Sequence, residues 1–437
     1  MMKKIKDLFT NNIVTVMFII LCAAAIAVAD QTPAFLFEQI VQRLFRNGIL
    51  VLSLIIPVLA GLGLNFGIVL GAMSAQTAMI MVTYWKVEGV AGLVLALIIS
   101  TPIAILLGVL IGRLFNKTKG QEMITGMILG FFANGVYQFI FMVLVGGIIP
   151  LNNPDMTISG GIGLLNTMKL SEKTAGAFDK LLRISLDKAF LYGFILLLIV
   201  FAWKLFGELR QRTLTAQRNL PLPDGLQQQN GFGRVKGLGA AVVVYGILLV
   251  LVRGNAKINM AMAFVDVPVF TAVLVILAAL FTRFLINTKL GQDFRSVGQN
   301  MKVAVASGIN VDKTRVIAIV ISTVLASFGQ IISIQNIGNF ATYTAHEQVA
   351  TFAIAALLVG GASIKKANVS HAFLGIILFH TLFTVAPMAG ANLFNDTQIG
   401  EYFRVFVSYG VIALALLLHT AKAAKQRRLL LQQEQQS

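Results

Sequence analysis

The sequence predicts an all-α fold, a polytopic transmembrane helical bundle of about ten to twelve spans. Three observations lead there. Of 437 residues, 57% are hydrophobic and 12% charged, with a mean hydropathy of +0.82, whereas an ordinary soluble domain is about 25% charged. The apolar residues fall into runs long enough to cross a bilayer, separated by short basic loops. Glycines and amides interrupt two of these runs, as expected of broken or re-entrant helices packed inside a bundle. Residues 1–437 are read as a single transmembrane domain.

The first run, Ile13–Ala29, follows Lys3, Lys4 and Lys6, which places the N-terminus in the cytoplasm. At about 17 residues it exceeds the usual signal-peptide core of roughly 7 to 15, so it is read as an uncleaved span. Residues 30–47 then lie outside. Runs near 48–64 and 66–84 are divided only by Gly61, Gly63, Asn65 and Gly67, and a run at 90–112 ends at Arg113, Lys117 and Lys119, on the inside. The run at 122–148 leads to an external loop, 149–187. A span near 188–206 closes on Trp203 and Lys204, an interfacial pairing. The cytoplasmic linker 207–236 follows, and Pro221, Pro223 and a QQQNG stretch make its middle flexible. Spans near 238–253 and 267–286 bring the chain to a polar cytoplasmic loop, 288–314. Runs near 315–335, 347–361, 370–388 and 402–420 complete the bundle, with Lys365 and Lys366 inside, Asp396 and Glu401 outside, and a cytoplasmic tail at 421–437.

This topology also accounts for the formal charge of +17: the Lys and Arg residues sit beside spans rather than on one soluble face, so no nucleic-acid partner is implied. Membrane lipid is the partner instead. The single cysteine, Cys22, excludes an intramolecular disulfide and a cysteine-based metal site.

The polar stretch Gly291–Arg315 is more than a turn. Ser296 with Gln299 three residues on forms a capping-box pattern, and Gly308 followed by Ile309 forms a Schellman stop. Val297, Met301, Ala304 and Val305 fall on one face. A short amphipathic helix at the membrane surface is expected, shaped as a docking element.

Motifs for chemistry within the chain are missing. There is no G-x-x-x-x-G-K-[ST] loop for ATP and no H-E-x-x-H; His346, His371, His380 and His419 are scattered, so no metal is expected. Glu88, Glu122, Asp266, Glu347 and Glu401 lie at or near span ends. Ion-coupled carriers need ionisable groups at membrane depth, which argues for an external energy source. Asn65, Gln76, Asn134, Gln138 and Gln330 form an interior polar set. They are candidates for a translocation path, the other reading being interhelical hydrogen bonds. The glycine-rich Gly61–Gln76 segment belongs at the centre of the bundle, through close packing or solute contact. With Val359–Gly375 it gives each half a glycine-punctuated hairpin, which suggests an internal repeat.

The series SVGQNMKVAVASGINVDKTRVIAIVIS, then LASFGQIIS, AIAALLVGGASI and AFLGIIL, resembles the permease subunits of bacterial ABC importers for simple sugars and nucleosides. These form the ribose- and branched-chain-amino-acid-type permease family. In that family the Gly-x-Asn, alanine-rich, Ser-Gly-Ile stretch is the coupling helix that fits a groove of the ATPase subunit. In this chain it falls on Gly298, Asn300, Ala304, Ala306, Ser307, Gly308 and Ile309. The resemblance covers roughly 290–385. In the first half GLNFGIVLGAMSAQ is similar to the family's Asn-Ile-Gly-x-Gly hairpin, with Phe66 in place of Ile, and 149–187 and 207–236 depart from the shorter members. The resemblance implies a non-enzymatic permease subunit of the bacterial plasma (inner) membrane, with both termini cytoplasmic and no cofactor of its own. It implies a separate ATPase subunit that binds ATP, a second permease subunit (a copy or a sister), and an external solute-binding protein delivering a simple sugar or nucleoside. A secondary carrier or facilitator is the alternative.

Overall fold

The computed structural model describes residues 13–151, 153, 156–158, 162–217, 233–396, 398–406, 409–410, 413–414 and 417. The proline-containing middle of the 207–236 linker and the 421–437 tail lie outside these residues. Among the described residues, eight helices are long and apolar enough to cross a membrane, and Ile13–Ala29, Ile68–Tyr84 and Val349–Val359 are shorter apolar helices. The all-α bundle expected from composition is the fold found. The chain divides into two compact units, one of residues 1–31, 39–182 and 269–437, the other of 32–38 and 183–268.

The larger unit is built on α14 (Val311–Ile337). Its start is fixed by Asn310, whose side chain accepts from Lys313 N at 3.0 Å, with Asp312 favourably placed at the positive end of the helix dipole. Gly338 ends it in a left-handed conformation (φ 82°). Against α14 lies α5 (Gly89–Lys117), on which Gly108 and Gly112 form a G-x-x-x-G face. A Cβ at these positions would come within 2.9 Å of Val320 Cα and 2.8 Å of Val316 Cα, so only glycine lets the two backbones approach so closely. In lipid, where apolar burial does not separate helix from tail, such contact is what holds helices together.

Before α5 come α1 (Ile13–Ala29), α2 (Pro33–Leu52), the single turn α3 (Ile55–Leu59) and α4 (Ile68–Tyr84). α1 is an integral helix of the unit: Thr15 Oγ1 donates to Val359 O at 2.8 Å, and Cys22 Sγ to Leu378 O at 3.3 Å. The segment expected outside, 30–47, is instead mostly α2, an amphipathic helix whose polar face carries Arg43, Arg46 and Asn47. Its charged residues mimic a loop in a hydropathy scan, while its apolar face supplies the buried Val41 and Ile49–Leu52. The stretch 60–67 is non-helical, with Ala60, Leu62, Leu64, Asn65 and Gly67 buried and none of its residues exposed, which resolves the 48–84 region as one broken, packed hairpin.

α6 (Glu122–Phe139) continues as a π-turn, Ile140–Leu144. The 149–187 segment contains β1 (Thr167–Lys169) and α7 (Ala177–Leu181). It is tied to α14 through Gly176 N donating to Gln335 O at 2.7 Å. Lys173 pairs with Glu88 at 3.0 Å and holds that carboxyl below its usual range. β1 pairs antiparallel with β4 (Asn339–Ala341), Met168 opposite Phe340. α15 (Val349–Val359) is only 11 residues long and spans about 16 Å. It stops short of crossing a bilayer, and α16 (Val369–Phe394) returns alongside it.

The smaller unit comprises β2 (Arg183–Ser185), α8 (Leu186–Gln217), α9 (Gly233–Gly254), α10 (Ala256–Ala263) and β3 (Asp266–Pro268). β2 and β3 pair antiparallel, Ile184 opposite Val267. α8 and α9 form a helical hairpin pinned by Tyr245, whose hydroxyl donates to Phe190 O at 2.9 Å. Helix therefore replaces both ends of the linker expected at 207–236. α11 (Val269–Ile286) re-enters the larger unit.

Candidate functional site

Two groups of residues in the larger unit carry function-bearing geometry, a capped helical stretch at 289–309 and a polar cluster around His346.

The first contains two helices, not one. α12 (Lys289–Gln299) starts at Thr288, whose side chain accepts from Gly291 N at 3.4 Å, so Ser296 lies inside the helix and the expected Ser296–Gln299 capping box is not formed. Asn300, extended at φ −157°, breaks the chain and caps α13 (Met301–Ala306), its Oδ1 accepting from Lys302 N at 3.0 Å and Val303 N at 3.3 Å. The expected Schellman stop is present: Gly308 (φ 79°) donates N–H to Val305 O at 2.9 Å, and Ile309 N to Ala304 O at 3.0 Å. Val297, Ala304 and Val311 pack as a small core flanked by Met301 and Ile309. Val305, expected on that face, points outward with Val303, and both are about 60% exposed. Ala306, Ser307 and Gly308 are exposed beside them.

This stretch is seated on the broken hairpin by backbone contact. A Cβ on Gly298 would lie 2.1 Å from Leu59 O, and one on Gly61 would lie 2.7 Å from Gly298 Cα. Beside it, the fully buried Arg315 donates Nη2 to Glu122 Oε1 at 2.5 Å and to Phe115 O at 3.1 Å, while its Nη1 lies 3.6 Å from Met301 Sδ. Glu122, expected at a span end, thus forms a buried ion pair with Arg315 between α6 and α14.

In the second group, His346 is fully buried, with Nδ1 2.5 Å from Gln76 Oε1 and Nε2 2.9 Å from Asn134 Oδ1. Gln138 Nε2 donates to Asn134 Oδ1 at 3.3 Å, and Asn134 Nδ2 to Glu347 Oε1 at 2.7 Å. Gln330 Nε2 donates to Ala345 O at 3.4 Å on the other side of the same turn. Four of the five polar residues singled out in the sequence therefore meet around residues 345–347. Asn65 does not join them. It is 1% exposed, donates to Ser322 Oγ at 3.2 Å, and accepts from Gly67 N at 2.9 Å, fixing the bend before α4.

His346 and Glu347 were missed as members of the cluster because their partners lie far away in sequence. The available signal was a His-Glu pair between two apolar runs. Glu347 borders two cavities, one of about 210 Å³ that also meets Asn134 and His346, and one of about 620 Å³ that also meets Gln330. The larger volume is within the range of small-solute sites, roughly 300 to 1,000 Å³.

Residues 225–416 match the model of the family described as the permease component of branched-chain amino acid transport systems. The family that the sequence resembles is the one the comparison returns. A nucleoside ABC transporter permease protein of Lactococcus lactis subsp. cremoris is 34% identical over 163 residues, 37% of this chain and 49% of that protein. The ribose import permease protein of Escherichia coli is 31% identical over 160 residues, 36% of this chain and 46% of its own length. A D-allose transport system permease protein of Escherichia coli is 26% identical over 191 residues, 41% of this chain and 56% of that protein. The chain spans about half the length of the curated relatives it matches. No solved structure matches it. The permease match includes α12, α13 and the 345–347 turn with Gln330, while Gln76, Asn134 and Gln138 lie outside it.

Proposed function

We propose that this chain is the membrane-spanning permease subunit of an ABC importer, a multi-pass protein of the bacterial inner membrane with both termini cytoplasmic. It carries a small polar solute, a simple sugar or nucleoside being the starting expectation from the relatives' names. A second permease subunit completes the path, an external solute-binding protein delivers the solute, and a separate ATPase subunit binds and hydrolyses ATP. The chain itself performs no catalysis and holds no cofactor.

The observation that carries this reading is the geometry of α13. Its inner face is anchored by Ala304, its ends are fixed by Asn300 and Gly308, and its outer face presents Val303, Val305, Ala306 and Ser307 unpartnered by the described residues' core. A rigid element with an exposed small and apolar tip suits a groove on a partner protein. Displacement of α13 would travel by two routes. Gly298 presses on Leu59 and Gly61 at the broken hairpin, and Met301 touches Arg315, which holds Glu122 at the start of α6. α6 carries Asn134, which meets His346 and Glu347. The same helix thus reaches from the docking side to the polar cluster, a physical link through which nucleotide-driven closure would switch access to the solute path.

Ala306→Glu tests the docking role. The variant is expected to insert normally but to lose ATPase co-purification and solute uptake in reconstituted vesicles. Normal uptake with the glutamate in place would remove the basis for placing the ATPase contact on α13.

A further inference from the structure

The cavity of about 620 Å³ lies between α2 from Arg43 onward, α14, the 339–348 segment, α15 and α16, and all its lining residues belong to the larger unit. Its lining carries two guanidiniums and one carboxylate. Arg43 and Arg46, three residues apart and so on one face of α2, both border it. Neither forms an ion pair with a carboxylate among the described residues. Arg46 donates Nε to Asn336 Oδ1 at 2.7 Å, and Asn336 in turn donates to Asp179 Oδ2 at 2.8 Å, so one acidic group stands behind Arg46 at one remove. Arg43 has no such support: its guanidinium lies 5.6 Å from the Phe383 ring, and its Nε is buried without a hydrogen-bond partner. One carboxylate, Glu347, also lines the cavity, where it accepts from Asn134 and keeps its negative charge. Arg404 adds a third guanidinium 4.8 Å from the Phe383 ring, paired with Glu401.

Arg43, with no carboxylate partner among the described residues and a buried Nε that donates to nothing, stands on the wall of a half-open cavity, where an anion would satisfy it. Arginine's planar fork matches carboxylate and phosphate oxygens two at a time, and is poorly matched to a lone hydroxyl. The remaining polar lining, which includes Asn47, Gln330, Asn339 and Gln348, is suited to hydroxyl or carbonyl groups.

We propose that this cavity is the solute site and that it takes an anionic, hydroxyl-bearing solute, with Arg43 as the principal ligand of a carboxylate or phosphate and Arg46 as the second. This rests on the permease reading and narrows it, since the neutral sugars named for the relatives would leave Arg43 unmatched. The test uses the assembled transporter in nanodiscs and two matched pairs of probes, D-glucuronate against D-glucose and uridine 5′-monophosphate against uridine. The anionic member of at least one pair is expected to bind about tenfold or more tightly than its neutral partner. The pair that responds tells carboxylate from phosphate. Arg43→Gln should reduce that preference to near parity, and Arg43→Lys should retain part of it. Melting temperatures of the unliganded variants check that folding is intact. Equal or absent binding of anion and neutral probe in both pairs, or an anion preference that survives Arg43→Gln, overturns the proposal. ATPase co-purification and ATP hydrolysis in the same preparations read the permease assignment separately: an active assembly without anion preference defeats only the site.

Discussion

A guanidinium with no solvent contact persists in an apolar bundle only where its charge is matched, and Arg315 is matched by Glu122 and by the Phe115 carbonyl. The two charges are 193 positions apart in sequence, Glu122 the first residue of its helix and Arg315 the fifth of its own. From the sequence they are indistinguishable from the other charges that mark span ends, because pairing across the bundle leaves no local signature. The same reason hid His346, whereas Gln76, Asn134 and Gln138 stood out because amides are rare inside apolar runs. Breaking the pair from one side leaves an uncompensated buried charge. Glu122→Gln is therefore expected to destabilise the protein by about 3 to 5 kcal/mol, seen as a lowered melting temperature in detergent. The double substitution Glu122→Leu with Arg315→Met should recover most of that loss. If the single and double variants melt alike, the two side chains are not coupled.

Elements were legible where their limits are set locally. The Schellman stop at Gly308 was readable because it depends on one glycine and a following apolar residue. The start of the same helix was misplaced at Ser296, since capping-box spacing recurs by chance and Asn300, the working cap, lacks the glutamate or glutamine at its third position. α2 was lost for a different reason: a helix that turns charged residues into a protein-lined cavity has the hydropathy of a loop. Cap strength makes a second prediction at this scale. Asn300→Ala should remove the two bonds to Lys302 N and Val303 N and cost α13 about 1 kcal/mol. Amide exchange at residues 301–306 should then quicken several-fold while α14 is unaffected, and Asn300→Asp, which caps equally well, should preserve protection. Unchanged exchange in the alanine variant would show that seating through Gly298, not capping, holds the helix.

At the scale of the whole molecule, the interior polar set divides into Asn65, held in a bend, and members that meet around residues 345–347, a division that composition alone could not make. Asn65 is spent on a backbone bend and a contact to Ser322. Asn134, half-buried, meets the smaller cavity and lies on the helix whose first turn carries Glu122. If nucleotide moves α13, the movement transmitted through Arg315 to α6 reaches Asn134 and should alter its access to water, while the hairpin core around Asn65 moves as a body and stays closed. Single cysteines at 65 and 134, in a background with Cys22 replaced by serine, separate these behaviours. Labelling of Asn134→Cys by a small polar maleimide is expected to change several-fold between nucleotide-free and ATP-locked assemblies, with Asn65→Cys unlabelled in both. Rapid labelling at 65 would place the broken hairpin itself on the path, and constant labelling at 134 would mean that α6 does not carry the switch.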